Sequence, residues 1–108
     1  MRLIEKQMNH AVRNKIAWSK DNTVTTFDNT IENCFIYLHG NHIATYNYAN
    51  KSLSLLDGGW QSVTTKSRLN ALLDEFAYGF GVFQKNWQWF VSNRLKDSVI
   101  PFQSGMTV

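Results

Sequence analysis

The residues with the greatest capacity for chemistry lie at Thr64-Thr65-Lys66-Ser67-Arg68, hydroxyls and cations gathered where an apolar helical period begins. A helix start exposes backbone N–H groups without partners and the positive end of the helix dipole, so it suits an anion. Thr64, Thr65, Lys66 and Arg68 would then converge on one phosphate, with Gly58-Gly59 letting it approach the backbone. The charge order along this helix is otherwise unfavourable. Lys66 and Arg68 occupy its first turn while Asp74 and Glu75 lie towards its end, against the macrodipole by about 0.3–1 kcal/mol per charge. The plainer alternative is a solvated helix face whose small penalty is offset elsewhere.

Other constellations fall short of catalysis. Lys66-Ser67 matches the end of a P-loop, but Trp60 and Thr65 stand where its glycines must turn the amides inward, which excludes nucleotide hydrolysis by that device. His39 and His42 flank an expected Gly40-Asn41 turn without enough further ligands for zinc, so no metal is expected. Cys34 alternates with Phe35 and reads as a small core residue, with no basic neighbour to activate its thiol. Asp57 stands alone, and Asp74 and Glu75 diverge around a helix, so no carboxylate pair is set for acid–base work. The chain is expected to be no enzyme and to need no cofactor.

Aromatic residues offer a different chemistry. Trp87 and Trp89 would share one strand face beside Lys85 and Arg94, either as a stacking platform for single-stranded nucleic acid or as core. Trp60, held in a glycine turn, is the aromatic hardest to bury. It and Phe102 of the apolar tail are the candidate anchors for a protein partner.

The elements that must position these residues follow from period and punctuation. Ile4, Met8, Ala11, Val12 and Ile16 recur at helical spacing and predict a first helix over residues 2–18, ringed by Arg2, Lys6, Arg13 and Lys15. Runs at 23–27, 33–38, 42–48 and 53–55, broken at Asp28-Asn29, Gly40-Asn41, Ala49-Asn50-Lys51 and Asp57-Gly58-Gly59, predict an antiparallel meander. Leu69, Leu72, Leu73 and Phe76 predict a second helix from about 65 to 77, ending near Gly79. A hairpin over 80–84 and 87–91 turns at Lys85-Asn86. The fold class is α+β: an antiparallel sheet of five or six strands, an N-terminal helix, and one helix between the meander and the C-terminal hairpin. Residues 1–92 form a single domain, and 93–108 form a tail without a clear period, expected on a neighbouring subunit of a homodimer.

The 108 residues leave no room for a second domain, and four Trp, four Tyr and seven Phe can bury a core. No apolar run approaches the roughly 20 residues of a membrane span, and no secretory leader is visible, so the host cytoplasm is expected and no membrane. One cysteine forbids an internal disulfide. The net charge of +3 favours polyanions.

The strings Leu38-His39-Gly40-Asn41-His42-Ile43-Ala44, Gly58-Gly59-Trp60, Thr64 to Asn70 and Val82-Phe83-Gln84-Lys85, in this order, resemble a set of small proteins from tailed bacteriophages. The likeness covers roughly residues 35–90. It implies a phage origin and brings neither a catalytic residue nor a cofactor. Two functions follow from the residues themselves. The first is a nucleic-acid-binding accessory or regulatory protein that contacts DNA or RNA phosphates through Arg2, Lys6, Arg13, Lys15, Lys66 and Arg68. The alternative is a non-enzymatic phage protein that binds and modulates a host or defence protein through exposed aromatics.

Overall fold

A computed structural model describes residues 1–108, and its first departure from the apolar period comes at the end of the first helix. Helix α1 spans Leu3–Arg13. Lys15 adopts φ 57°, the left-handed conformation that reverses a helix end. The amide of Ile16 then bonds back to the Ala11 carbonyl at 2.9 Å and that of Lys15 to Val12 at 3.4 Å, a Schellman closure. Ile16, expected on the apolar face, therefore lies beyond the helix and is exposed, and Trp18–Lys20 becomes strand β1.

Strands β2 (Thr23–Asp28), β3 (Asn33–Leu38), β4 (Asn41–Asn47) and β5 (Ser52–Leu55) follow as the expected antiparallel meander. Cys34, Ile36 and Leu38 of β3 face the core, as do Leu53 and Leu55 of β5. The β3–β4 register shifts between Ile36 and Tyr37, so both Ile43 and Ala44 of β4 turn inward. The turn between these strands is His39-Gly40, with φ 51° and 78°, one residue earlier than the expected Gly40-Asn41.

Helix α2 spans Val63–Phe76 and lays Leu69, Leu72 and Leu73 on the core formed with Met8 and Val12 of α1. The C-terminal hairpin, β6 (Phe80–Lys85) and β7 (Gln88–Asn93), belongs to a second sheet completed by β8 (Ser98–Pro101). Asn70 of α2 covers the outer edge of β6: its side chain donates to the Val82 carbonyl at 2.9 Å and accepts from the Val82 amide at 2.7 Å. The hairpin turns at Asn86-Trp87, with φ 52° and 65°, rather than at Lys85-Asn86. Trp87 consequently leaves the strand and stands 91% exposed, while Trp89 is buried. The two indoles form no common platform.

The last segment completes the fold of its own chain. After β8 pairs with β7, strand β9 (Met106–Thr107) joins the first sheet, giving the order β1-β2-β3-β4-β5-β9. Val108 exchanges amide–carbonyl bonds with Leu53 at 2.9 and 3.2 Å, and Phe102 meets Trp89 edge to face at 5.3 Å. Residues 93–108 thus link both sheets of one subunit. The amide of Phe102 bonds the Trp89 carbonyl, so by strand alternation Pro101 presents its nitrogen to the open edge of β8. A proline there withholds a donor from any strand that might add to that edge. No helix is long and apolar enough to cross a membrane.

Removing residues 103–108 should lower stability by about 2–4 kcal/mol through lost strand bonds and exposure of Leu53 and Leu55. The loss, read from urea midpoints, should not vary with protein concentration. Trp87→Gly should raise stability by about 0.5–1 kcal/mol, because a bulky side chain at positive φ is strained where glycine is not.

Candidate functional site

Sequence placed the functional centre at the start of α2, and the structure fills that place with internal bonds. Ser62 is the cap: its hydroxyl accepts from the Thr65 amide at 3.0 Å and lies 2.9 Å from the Thr65 hydroxyl. Its carbonyl accepts from the Lys66 amide at 3.1 Å. Thr65 is buried. Arg68 is also buried, with its guanidinium bonded to Glu5 Oε2 at 2.9 Å, Thr23 Oγ1 at 3.1 Å and Asn22 Oδ1 at 3.3 Å. The expected convergence of Thr64, Thr65, Lys66 and Arg68 on a phosphate is therefore absent, since the strongest of its cations already holds an anion from its own chain.

This arrangement also accounts for the reversed charge order of α2. Glu5 near the start of α1 meets Arg68, Asn9 donates to the Ala71 carbonyl at 3.0 Å, and Arg13 at the end of α1 meets Glu75 at 2.9 Å. The helices therefore lie side by side and parallel. α1 runs from acid to base and α2 from base to acid, so Glu5 and Arg13 of α1 supply the counter-charges that the dipole of α2 lacks. Sequence alone could not show this, because the partners are more than sixty positions apart.

Glu5 also accepts from the Ser67 hydroxyl at 2.6 Å and the Arg2 amide at 3.3 Å. Burial alone would raise its carboxyl, but the bonds from Ser67, Arg68 and Arg2 and the guanidinium charge prevail and hold it below the usual carboxylate range.

The other proposed phosphate contacts are dispersed. Arg13, besides its bond to Glu75, lies over the Phe76 ring. Lys15 lies over the rings of Phe27 and Tyr48. Arg2 caps α1, and Lys6 is exposed on the wall of a cleft between α1 and β1. Of the proposed protein anchors, Phe102 is committed to Trp89, whereas Trp60 is 75% exposed.

Around Trp60 the chain builds a cavity of about 420 Å³, with walls from His39 and Asn41 at the β3–β4 turn, Ile43, Gly58 and the Thr64-Thr65 turn of α2. The loop that carries Trp60 is organised by Asp57, whose carboxylate accepts from the Gly59 amide at 2.8 Å and from Gln61 and Ser104 side chains, each at 3.4 Å. Gly58 has φ 70°, and a Cβ there would lie 3.0 Å from Asn41 Cβ, so the loop seats against β4 only because this residue is glycine. The phage-like strings at 38–44, 58–60 and 64–70 thus meet at one cavity, although their residues looked unrelated along the chain.

The histidines and the thiol have structural partners. His39 lines the Trp60 cavity, while His42 sits against Phe35 and Tyr37 with Nε2 2.7 Å from Thr45 Oγ1. Burial pushes the Cys34 thiol up to about 11, which removes it as a nucleophile at neutral pH. Tyr48, raised by burial and by Cys34, donates to the Val12 carbonyl and ties β4's end to α1.

A family model described as Kyanoviridae Gp96 protein matches residues 1–108. Comparison with curated proteins and with solved structures found no match.

Glu5→Gln or Arg68→Met should each cost about 3–5 kcal/mol, because either leaves a buried polar partner uncompensated, while Glu5→Leu with Arg68→Met should recover most of that loss. The Glu5 carboxyl is lowered on folding, so its contribution is present above its unfolded pKa of about 4.3 and fades as pH falls towards its folded value. Chemical unfolding between about pH 6 and pH 2 should therefore show a shallower acid loss in Glu5→Gln than in the parent.

Proposed function

The chain belongs to the Kyanoviridae Gp96 protein family, a phage family, and on that premise we propose that it is a non-enzymatic binding protein that engages and modulates a host or defence protein in the host cytoplasm. The observation that carries this proposal is Trp60, an indole 75% exposed at the rim of a cavity and held on a loop with its own hydrogen-bond framework. Tryptophan presented in this way loses little freedom on binding and offers a large apolar area, the usual character of an interface hot spot. The adjoining cavity, lined by Ile43 together with the polar residues Asn41, Ser62 and Thr64, suits an inserted side chain that carries both apolar and polar atoms.

Trp87 supports the same conclusion by a different route. It occupies a left-handed turn position that would be relaxed with glycine, and its side chain is 91% exposed, so folding alone gives no reason for an indole there. A contact function does. DNA or RNA as partner finds less support, because Arg68 and Arg13 are bonded to carboxylates and Lys15 lies over aromatic rings.

The tagged chain, incubated with lysate from infected host cells and cross-linked, should retain a discrete protein that Trp60→Ala loses at unchanged stability. Trp87→Gly should also weaken capture, by about tenfold or more in affinity, while making the protein more stable. Equal capture by the parent and Trp60→Ala would overturn the proposal.

A further inference from the structure

Beyond the Trp60 surface, a second site of different chemistry lies between α1 and β1. There a cleft of about 540 Å³ is walled by Lys6, Gln7 and His10 of the helix and by Trp18 and Lys20 of the strand. No acidic residue lines it. The only ion pairs of the chain are those of Arg13 and Arg68, so the ammonium groups of Lys6 and Lys20 are not held by a carboxylate. Asn14 Nδ2 lies 3.2 Å from His10 Nδ1, and donation to that nitrogen leaves the ring proton on Nε2 as a further donor. These are phosphate-binding groups from two elements.

The same cleft has an aromatic surface, and Gln7 of its wall carries an unmet acceptor beneath the surface. Trp18 is half-buried against the core, which fixes the plane of its indole while it remains part of the cleft wall. Gln7 Oε1 is buried without any donor. The terminal torsion of glutamine is soft, so the amide can turn and meet an N–H group brought into the cleft. Together the cations, the indole and the amide match a phosphate joined to a flat, hydrogen-bonding ring.

We infer that the α1–β1 cleft binds a nucleoside phosphate, with Lys6, Lys20 and His10 on the phosphate, Trp18 under the base, and Gln7 accepting from an amino group of the base. Adenine, cytosine and guanine bear such a group. The ligand is either a free nucleotide or one unit of a single strand, and the chemistry is common to both.

Calorimetry on the full chain at low salt tests this with AMP and with an eight-nucleotide deoxyadenosine strand as probes. Binding of at least one probe is expected, weakened about tenfold or more by Lys6→Gln with Lys20→Gln and unchanged by Lys85→Gln with Lys96→Gln. Both pairs are exposed lysines, so neither should disturb folding. Binding of AMP identifies a free nucleotide as a sufficient ligand, and binding of the strand alone identifies the nucleic acid. For the strand, the logarithmic salt slope should also fall by about 1–2 in the Lys6/Lys20 variant. Binding of neither probe, or binding indifferent to Lys6 and Lys20, would overturn the inference. Trp60→Ala should leave nucleotide binding intact, so failure of the partner-protein proposal and failure of this one are distinguishable.

Discussion

The structure depends on one buried ion pair, Glu5 with Arg68. Removing two such charges from water costs several kcal/mol per ion unless each is supplied with partners. Here Arg68 has Glu5, Thr23 and Asn22, and Glu5 has Ser67 and the Arg2 amide in addition. The requirement for all of these partners is a geometric constraint. It brings the beginnings of both helices, strand β2 and the β1–β2 turn to one point, and a shift of either helix by one turn would leave a charge buried without its counterpart.

From that point the remaining placement follows. With Arg68 fixed, Asn9 reaches the Ala71 carbonyl and Arg13 reaches Glu75, which sets α1 and α2 parallel along their whole contact. The first turn of α2 is then held beside the β3–β4 turn, and the loop from Asp57 to Gln61 must cross the space between them. Asp57 organises that crossing and reaches Ser104, whose hydroxyl also accepts from the Asp57 amide at 3.1 Å. The Trp60 surface is therefore buttressed by the C-terminal segment, so tail docking and presentation of the indole are mechanically linked.

Surface features divide into those the fold protects and those it leaves open. The outer edge of β6 is closed by Asn70, and the outer edge of β8 is blunted by Pro101, both devices that discourage strand addition. Trp60 and Trp87 receive no such cover. A small domain that spends proline and asparagine on guarding its edges while leaving two indoles in solvent separates accidental association from specific contact.

Local pattern was enough for the element types and much of their order. Period-two alternation in residues 33–38, the leucine spacing of 69–76 and the glycine and asparagine breaks between them specify short-range geometry, which depends on neighbouring residues. It was also enough to mark Cys34 as core and Trp60 as exposed. The end of α1 and the two hairpin turns were missed by a residue or more, because positive φ at Lys15, His39 and Trp87 overrides propensity once strand register demands it. The role of Arg68 was wholly tertiary. A cation in the first turn of a helix has the same local signature whether it faces a ligand or a carboxylate of its own chain, and only the packing of α1 against α2 decided that it faces Glu5.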